Sequence, residues 1–170
     1  MIVVRAERAG DAEAVRRVNE LAFGAAAEAD LVDALRANAQ PQVSLVAVDD
    51  AGEVAGHIFF SPVTVEPEAV GLLLMGLGPM AVLPRLQKSG VGSRLVKEGL
   101  KECRRLGCAA VVVLGHPTYY PRFGFARASR LGLRCSYEVP EEVFMAMELE
   151  PGALGGRRGL VRYHPAFDGV

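Results

Sequence analysis

One stretch constrains this chain more than any other. An apolar run, Leu72-Leu73-Leu74-Met75-Gly76-Leu77-Gly78-Pro79-Met80-Ala81-Val82-Leu83, passes through Pro84-Arg85-Leu86-Gln87-Lys88-Ser89-Gly90-Val91-Gly92-Ser93 into a helical repeat. From Gly92 onward Leu95, Val96, Gly99, Leu100, Cys103 and Leu106 recur at the offsets of one helix face, and Gly107 sits where a C-terminal cap belongs. The order is therefore strand, glycine-bearing loop, helix, with one helix face packed on a sheet. A helix start leaves four backbone N–H groups free and carries the positive end of the helix dipole. With two glycines that let a ligand approach the backbone and Lys88 alongside, this is an anion site, and phosphate suits it.

Two phosphate loops are excluded by their own requirements. A nucleoside-triphosphate loop needs G-x-x-x-x-G-K-[ST], and no Gly-Lys pair occurs in the chain. A dinucleotide fingerprint needs a third glycine where Leu95 stands and an acidic residue after the next strand, which instead ends Val113-Leu114-Gly115-His116. What remains is Gln87-x-x-Gly90-x-Gly92 entering a helix directly after a strand. It resembles the Q/R-x-x-G-x-G/A pyrophosphate loop of the GNAT superfamily of acyl-CoA-dependent N-acyltransferases. Ser44-Leu45-Val46-Ala47, Val54-Ala55-Gly56-His57-Ile58, Leu77 to Val82, Val113 to Pro117 and Tyr119-Tyr120-Pro121-Arg122-Phe123-Gly124-Phe125 agree in order and spacing. Together they are similar to one bacterial subgroup of predicted N-acetyltransferases, over nearly the whole chain.

The rest of the chain is consistent with that architecture. At 170 residues it is expected to form one domain, with a core over about 2–150 and a C-terminal extension over 151–170. Ile2 to Ala6 can form a strand. Gly10-Asp11 offers a turn into a helix whose Val15, Val18, Leu21 and Ala22 share a face and which Gly24 ends, and a second helix fits Glu28 to Ala37. Strands over 43–48 and 53–65 flank the hairpin signal Asp49-Asp50-Ala51-Gly52 and, with 77–82, suggest an antiparallel meander. Ala109 to Leu114 is a continuous apolar run, as in a strand buried on both faces and parallel to its predecessor. Residues 117–122 leave room for one helical turn, 131–139 and 143–149 read as the last main strands, and 159–163 as an edge strand that could pair in a homodimer. The resemblance implies an α/β (α+β by some schemes) fold of GNAT type, a mixed central sheet with helices on both faces.

Nineteen basic against twenty acidic residues give a net charge of −1, so neither nucleic acid nor an anionic membrane is an expected partner. No leader pattern opens the chain, and the apolar run over 69–83 is too short to span a bilayer, so a cytoplasmic protein is expected. Three cysteines without C-x-x-C spacing argue against both a disulfide framework and a zinc site, and no metal is expected.

The resemblance implies acetyl-CoA as cosubstrate and an amine as acceptor. It assigns pantetheine binding to the backbone of Met80, Ala81 and Val82, and pyrophosphate binding to Gln87, Lys88, Ser89, Gly90, Val91, Gly92 and Ser93. Tyr120 stands five residues before Phe125, where many members place the general acid that faces the CoA sulfur. Tyr119 is its neighbouring competitor, and packing at a strand entrance is the plain alternative. Where many members carry an asparagine, this chain has Gly115-His116-Pro117, so His116 can contact the cofactor, relay a proton, or simply cap the strand. His57 and Glu28 are candidate bases acting through water, although a glutamate at a helix start also serves as a dipole partner. Glu28, Asp30, Glu138, Glu141 and Glu142 would suit a cationic acceptor, with solvated surface as the plain alternative. The cysteines fall in core patterns, which favours direct transfer over an acetyl-cysteine route. The rival to an enzyme is a non-catalytic acyl-CoA-binding module.

Overall fold

The segments flanking Asp49–Gly52 are near-continuous apolar runs and apolar residues recur with a helical period after Gly90, and the computed structural model, which describes residues 1–170, makes strands of the first and a helix of the second. The elements are β1 (Val3–Ala6), α1 (Ala12–Phe23), α2 (Ala27–Asn38), β2 (Val43–Val48), β3 (Val54–Glu66), β4 (Leu73–Val82), α3 (Val91–Arg105), β5 (Cys108–Leu114), β6 (Ala126–Arg127), β7 (Leu133–Cys135), β8 (Phe144–Glu148) and β9 (Gly159–Arg162). The main sheet runs β1-β2-β3-β4-β5-β8-β6. Its neighbours are antiparallel except β4 and β5, which α3 joins as a crossover. No helix is long and apolar enough to cross a membrane.

The β2–β3 hairpin closes where Asp49 turns its carboxylate onto the N–H groups of Ala51 (3.0 Å) and Glu53 (2.9 Å). Alternate residues of β3 then feed opposite cores. Ile58 and Phe60 pack under α3 with Leu95, Val96 and Leu100, whereas Phe59 packs under α1 and α2 with Val15, Val18 and Leu35. The helix stripe lies as expected, with Leu95, Val96, Leu100 and Cys103 at most 4% exposed. Gly99 sits inside that stripe because a Cβ there would lie 2.3 Å from the Phe60 ring.

Several expectations are corrected. Leu21 is 52% exposed, and the buried face of α1 is carried instead by Val15, Val18 and Asn19. The strand read over 131–139 shrinks to β7, preceded by a 3-10 turn over Ala128–Leu131, and the two-residue β6 was not foreseen. β9 is not a free edge: it pairs with the bent end of β3 on one side (Val65 opposite Val161) and with β7 on the other (Cys135 opposite Val161). The edge expected to pair in a homodimer is therefore already occupied. Through β9, residues 151–170 join the body of the fold, Leu154, Val161 and Tyr163 packing with Ala110 and Val112 of β5.

The Gly99–Phe60 contact sets two magnitudes against each other. Alanine gains roughly 1 kcal/mol over glycine in a helix interior, but overpacking a close core contact costs ~1–3 kcal/mol. Gly99→Ala is expected to lower the urea midpoint at unchanged slope, and a raised midpoint would show that Phe60 yields freely.

Candidate functional site

The site begins where two parallel strands part. β4 and β5 pair from Leu73 opposite Cys108 to Leu77 opposite Val113, and there the ladder stops. β4 continues against β3, but Gly78 and Pro79 together face Phe59 alone, since Leu77 pairs with Phe60 and Met80 with Ile58. This bulge turns the strand away from β5. β5, held on its other side by β8 out to Leu114 opposite Phe144, ends at Gly115, whose N–H donates to Val143 O at 3.0 Å. A cleft of about 910 Å3 opens in the wedge between Met80 and Leu114–His116.

The loop after β4 supplies the polar end. Gln87 donates to Pro84 O at 3.3 Å and Arg94 to Gly90 O at 3.1 Å, while the N–H groups of Lys88 to Ser93 between them have no backbone acceptor. Lys88 and Gly90 both take left-handed backbone, with φ of 62° and 94°. Lysine pays a steric cost for that conformation, and glycine does not. These turns leave consecutive N–H groups unpaired at the positive end of a 15-residue helix. Side chains brace the loop: Gln87 Nε2 donates to Val82 O at 3.1 Å, and the Ser89 hydroxyl donates to Leu86 O. A cradle so built, backbone donors with little side-chain bulk, suits a diphosphate.

Two tyrosines stand between cradle and wedge and point to different places. The Tyr119 hydroxyl lies 3.3 Å from Ser93 Oγ and 3.2 Å from where a Cβ on Gly92 would be, and the Arg122 guanidinium covers its ring at 4.5 Å. Tyr120 turns into the cleft wall, seated on Gly115, where a Cβ would come within 2.3 Å of its ring. Tyr120 is 7% exposed, and burial, reinforced by Tyr119, pushes its hydroxyl up to about 12. It therefore holds its proton throughout the neutral range.

The structure separates the remaining candidates. Met80, Gln87, His116, Tyr120 and Glu28 all line the cleft, His116 exposed and Glu28 half-buried. Ala81 instead faces the α1–α2 core, and the Val82 carbonyl is engaged by Gln87. His57, a candidate base by sequence, does not line the cleft: the side chain is fully buried on the α1–α2 side of β3. Ser44 lies 2.9 Å from its Nε2, Asn19 Nδ2 lies 3.4 Å from Nδ1, and the Ser44 hydroxyl donates onward to Glu7. That arrangement is satisfied when neutral His57 carries its proton on Nε2. Burial, with Arg36 adding to it, lowers His57 to about 3, so it cannot serve as a base for the cleft. Of the other carboxylates, Asp30 pairs with Arg16 at 2.8 Å and Glu141 accepts from Ser129 at 2.6 Å, and Glu138 and Glu142 lie outside the cleft. Cys103 and Cys108 are buried in the core, contact with Cys108 and then burial pushing the Cys103 thiol up, and neither lines the cleft.

The far end of the cleft was not foreseen. Phe23 comes from the end of α1, Tyr137 from the segment after β7, and Tyr163, Phe167 and Asp168 from the C-terminal segment. Nothing local in the sequence marks these residues, because distant segments bring them together.

Residues 12–125 match the acetyltransferase (GNAT) family. The chain belongs to that family. The GNAT assignment extends beyond the matched segment: the chain is 40% identical over 167 residues to the N-acetyltransferase YhbS of Escherichia coli strain K12, covering 98% of this chain and 99% of that one. A crystal structure of Escherichia coli YhbS in complex with CoA superposes with a TM-score of 0.90 at 38% identity, over 98% of this chain and 92% of that one. A GNAT family acetyltransferase from Brucella melitensis, in complex with acetyl-CoA, gives 0.80 at 38% identity with 99% of both chains covered.

Because His57 is buried neutral, acid should act on stability rather than on a GNAT base. An unfolded histidine takes up its proton near ~6.5, whereas native His57 does so only near about 3. The unfolded state therefore binds more protons in this window, and stability present above the upper value is lost as pH falls toward the lower one. Urea unfolding between about pH 6.5 and 5 should show a loss of up to ~1.4 kcal/mol per pH unit that His57→Gln removes. Identical slopes for the two proteins would place the acid sensitivity elsewhere.

Proposed function

We propose that the protein is an N-acetyltransferase that binds acetyl-CoA along the wedge and the cradle and passes its acetyl group directly to a primary amine within a ternary complex. The observation that carries this reading is the run of unpaired N–H groups from Lys88 to Ser93 beside a strand that parts from its neighbour at Leu77. The relatives solved with CoA and acetyl-CoA support it, since both share the fold at 38% identity. The cradle fits a diphosphate, and β4 beyond Leu77, unpaired on its β5 side, can hydrogen-bond an amide-bearing chain. We read residues 1–170 as one such domain, acting in a reducing cytoplasm that suits its three free cysteines.

In the reaction the amine lone pair forms the bond to the thioester carbonyl carbon, and the carbon–sulfur bond breaks with its electron pair going to sulfur. Sulfur gains a proton and the nitrogen loses one. Tyr120 is the group proposed to meet the developing thiolate. Its hydroxyl, pushed up to about 12, lies some three units above an ordinary thiol near ~8.5, so completed transfer is uphill by roughly 4–5 kcal/mol. Tyr120 therefore stabilises the thiolate by hydrogen bonding and keeps its own proton, and the released thiolate takes its proton from water. Glu28 and His116, which line the cleft, are proposed to accept the amine's proton through water. The core placement of Cys103 and Cys108 supports direct attack over an acetyl-cysteine intermediate.

Two variants separate binding from chemistry. Gly92→Glu places a carboxylate beside Tyr119 where the cradle needs bare backbone, and calorimetry should show CoA affinity collapsing while thermal unfolding changes little. Tyr120→Phe keeps the ring on Gly115 and removes only the hydroxyl, so kcat should fall ~100-fold or more with acetyl-CoA binding nearly intact. Tyr119→Phe, whose hydroxyl meets Ser93, should act on affinity instead. If acetyl-CoA binds but no amine in a broad panel releases thiol, the protein is the binding module and not the enzyme.

A further inference from the structure

We infer that the acceptor is a compact cationic amine on a flat apolar body, of the arylalkylamine class, and that Asp168 of the C-terminal turn is the residue that selects for its positive charge. The inference rests on the acetyl-transfer reading above and names the substrate class of the same cleft. Beyond the wedge, the cleft is walled by aromatic rings: Tyr137 stacks on Tyr163 at 6.1 Å with an 18° tilt, Tyr163 meets Phe167 at 5.1 Å, and Phe23 stands at the mouth, 44% exposed. Flat rings in such a wall favour a flat apolar guest and offer no ladder of hydrogen bonds for a polyhydroxylated one.

Charge narrows the class further. No lysine or arginine lines the cleft, while two carboxylates do, Glu28 and Asp168. Neither takes part in an ion pair of the chain, unlike Asp30 and Asp33, which Arg16 holds at 2.8 and 2.9 Å. Asp168 accepts from the Tyr137 hydroxyl at 2.8 Å through Oδ1, which fixes the carboxylate at the edge of the ring wall and leaves Oδ2 without a protein partner. Two carboxylates free of ion pairs, beside an aromatic wall with no lysine or arginine lining the cleft, form a site that suits a hydrogen-bond-donating cation. An ammonium on an aromatic body supplies it, through charge-assisted hydrogen bonds and cation–π contact.

The C-terminal turn makes this reading specific to the chain. Pro165–Gly169 packs on α2 through Ala166 and Phe167, and His164 secures its start by accepting from Ala166 N–H at 3.1 Å. Asp168 is thus carried on a braced turn, and its exposed carboxylate is free of the fold's own ion pairs.

The test is calorimetric titration of 2-phenylethylamine into the protein with and without saturating CoA, beside spermidine, glucosamine and a short peptide with a free N-terminus. Phenylethylamine is expected to bind most tightly of the four, and Asp168→Asn to weaken it ~10-fold or more with CoA affinity unchanged. Asp168 is exposed, so this variant leaves the core intact. Tightest binding by spermidine, glucosamine or the peptide overturns the inference, as does unchanged phenylethylamine affinity in Asp168→Asn. Loss of CoA binding in the native protein would instead remove the reading beneath it, and the titration without CoA still decides whether the aromatic, acidic end recognises the amine.

Discussion

The structure depends on a hydrogen-bond ladder that stops early. β4 and β5 are parallel neighbours for only the first half of β4, and the bulge at Gly78-Pro79 turns the strand before pairing can continue. Unpaired backbone in a protein interior is costly unless something else meets it. Here the exposed strand edge and the ring of Tyr120 border one cleft that reaches the loop at Gln87, and the free N–H groups of Lys88 to Ser93 follow directly after it. The same break that would weaken an ordinary sheet creates the space and the donors for a long, polar, phosphate-bearing ligand.

The two faces of the sheet divide the labour. On one, α3 presses Leu95 and Val96 onto β3 and closes onto Phe60 at Gly99, which holds the helix start, and so the cradle, at a fixed height above the strand ends. On the other, a polar set threads through the α1–α2 core: Arg36 pairs with Glu7 at 2.7 Å, Ser44 donates to Glu7, and neutral His57 leans on Ser44. A buried set of this kind is stable only when its members are paired. It fixes the position of α1 and α2, from which Phe23 and Glu28 reach the cleft.

The strand, loop and helix proposed to hold the cofactor were legible because their physics is local. A strand, a Gly-x-Gly turn and an amphipathic helix follow one another in sequence, and no distant residue is needed to place free N–H groups at the helix start. Gly99 looked like an ordinary member of the stripe, and its reason appeared only with Phe60 lying against it. His57 misled because alternation along β3 assigns it a face without saying which face opens to the cleft. The far end of the cleft was hidden for the same kind of reason: Tyr137, Tyr163 and Asp168 meet only because β9 inserts between β3 and β7, a long-range pairing that carries no local signature.

Amide hydrogen exchange followed by NMR, with and without acetyl-CoA, tests the central claim most directly. If the unpaired backbone of the loop is the cradle, the amides of Lys88 to Ser93, which have no acceptor within the chain, should exchange fast in the free protein and become protected on binding, together with the β4 amides next to the wedge. Protection confined to the α1–α2 segment, or binding that leaves the Lys88 to Ser93 amides as exposed as before, would contradict the account.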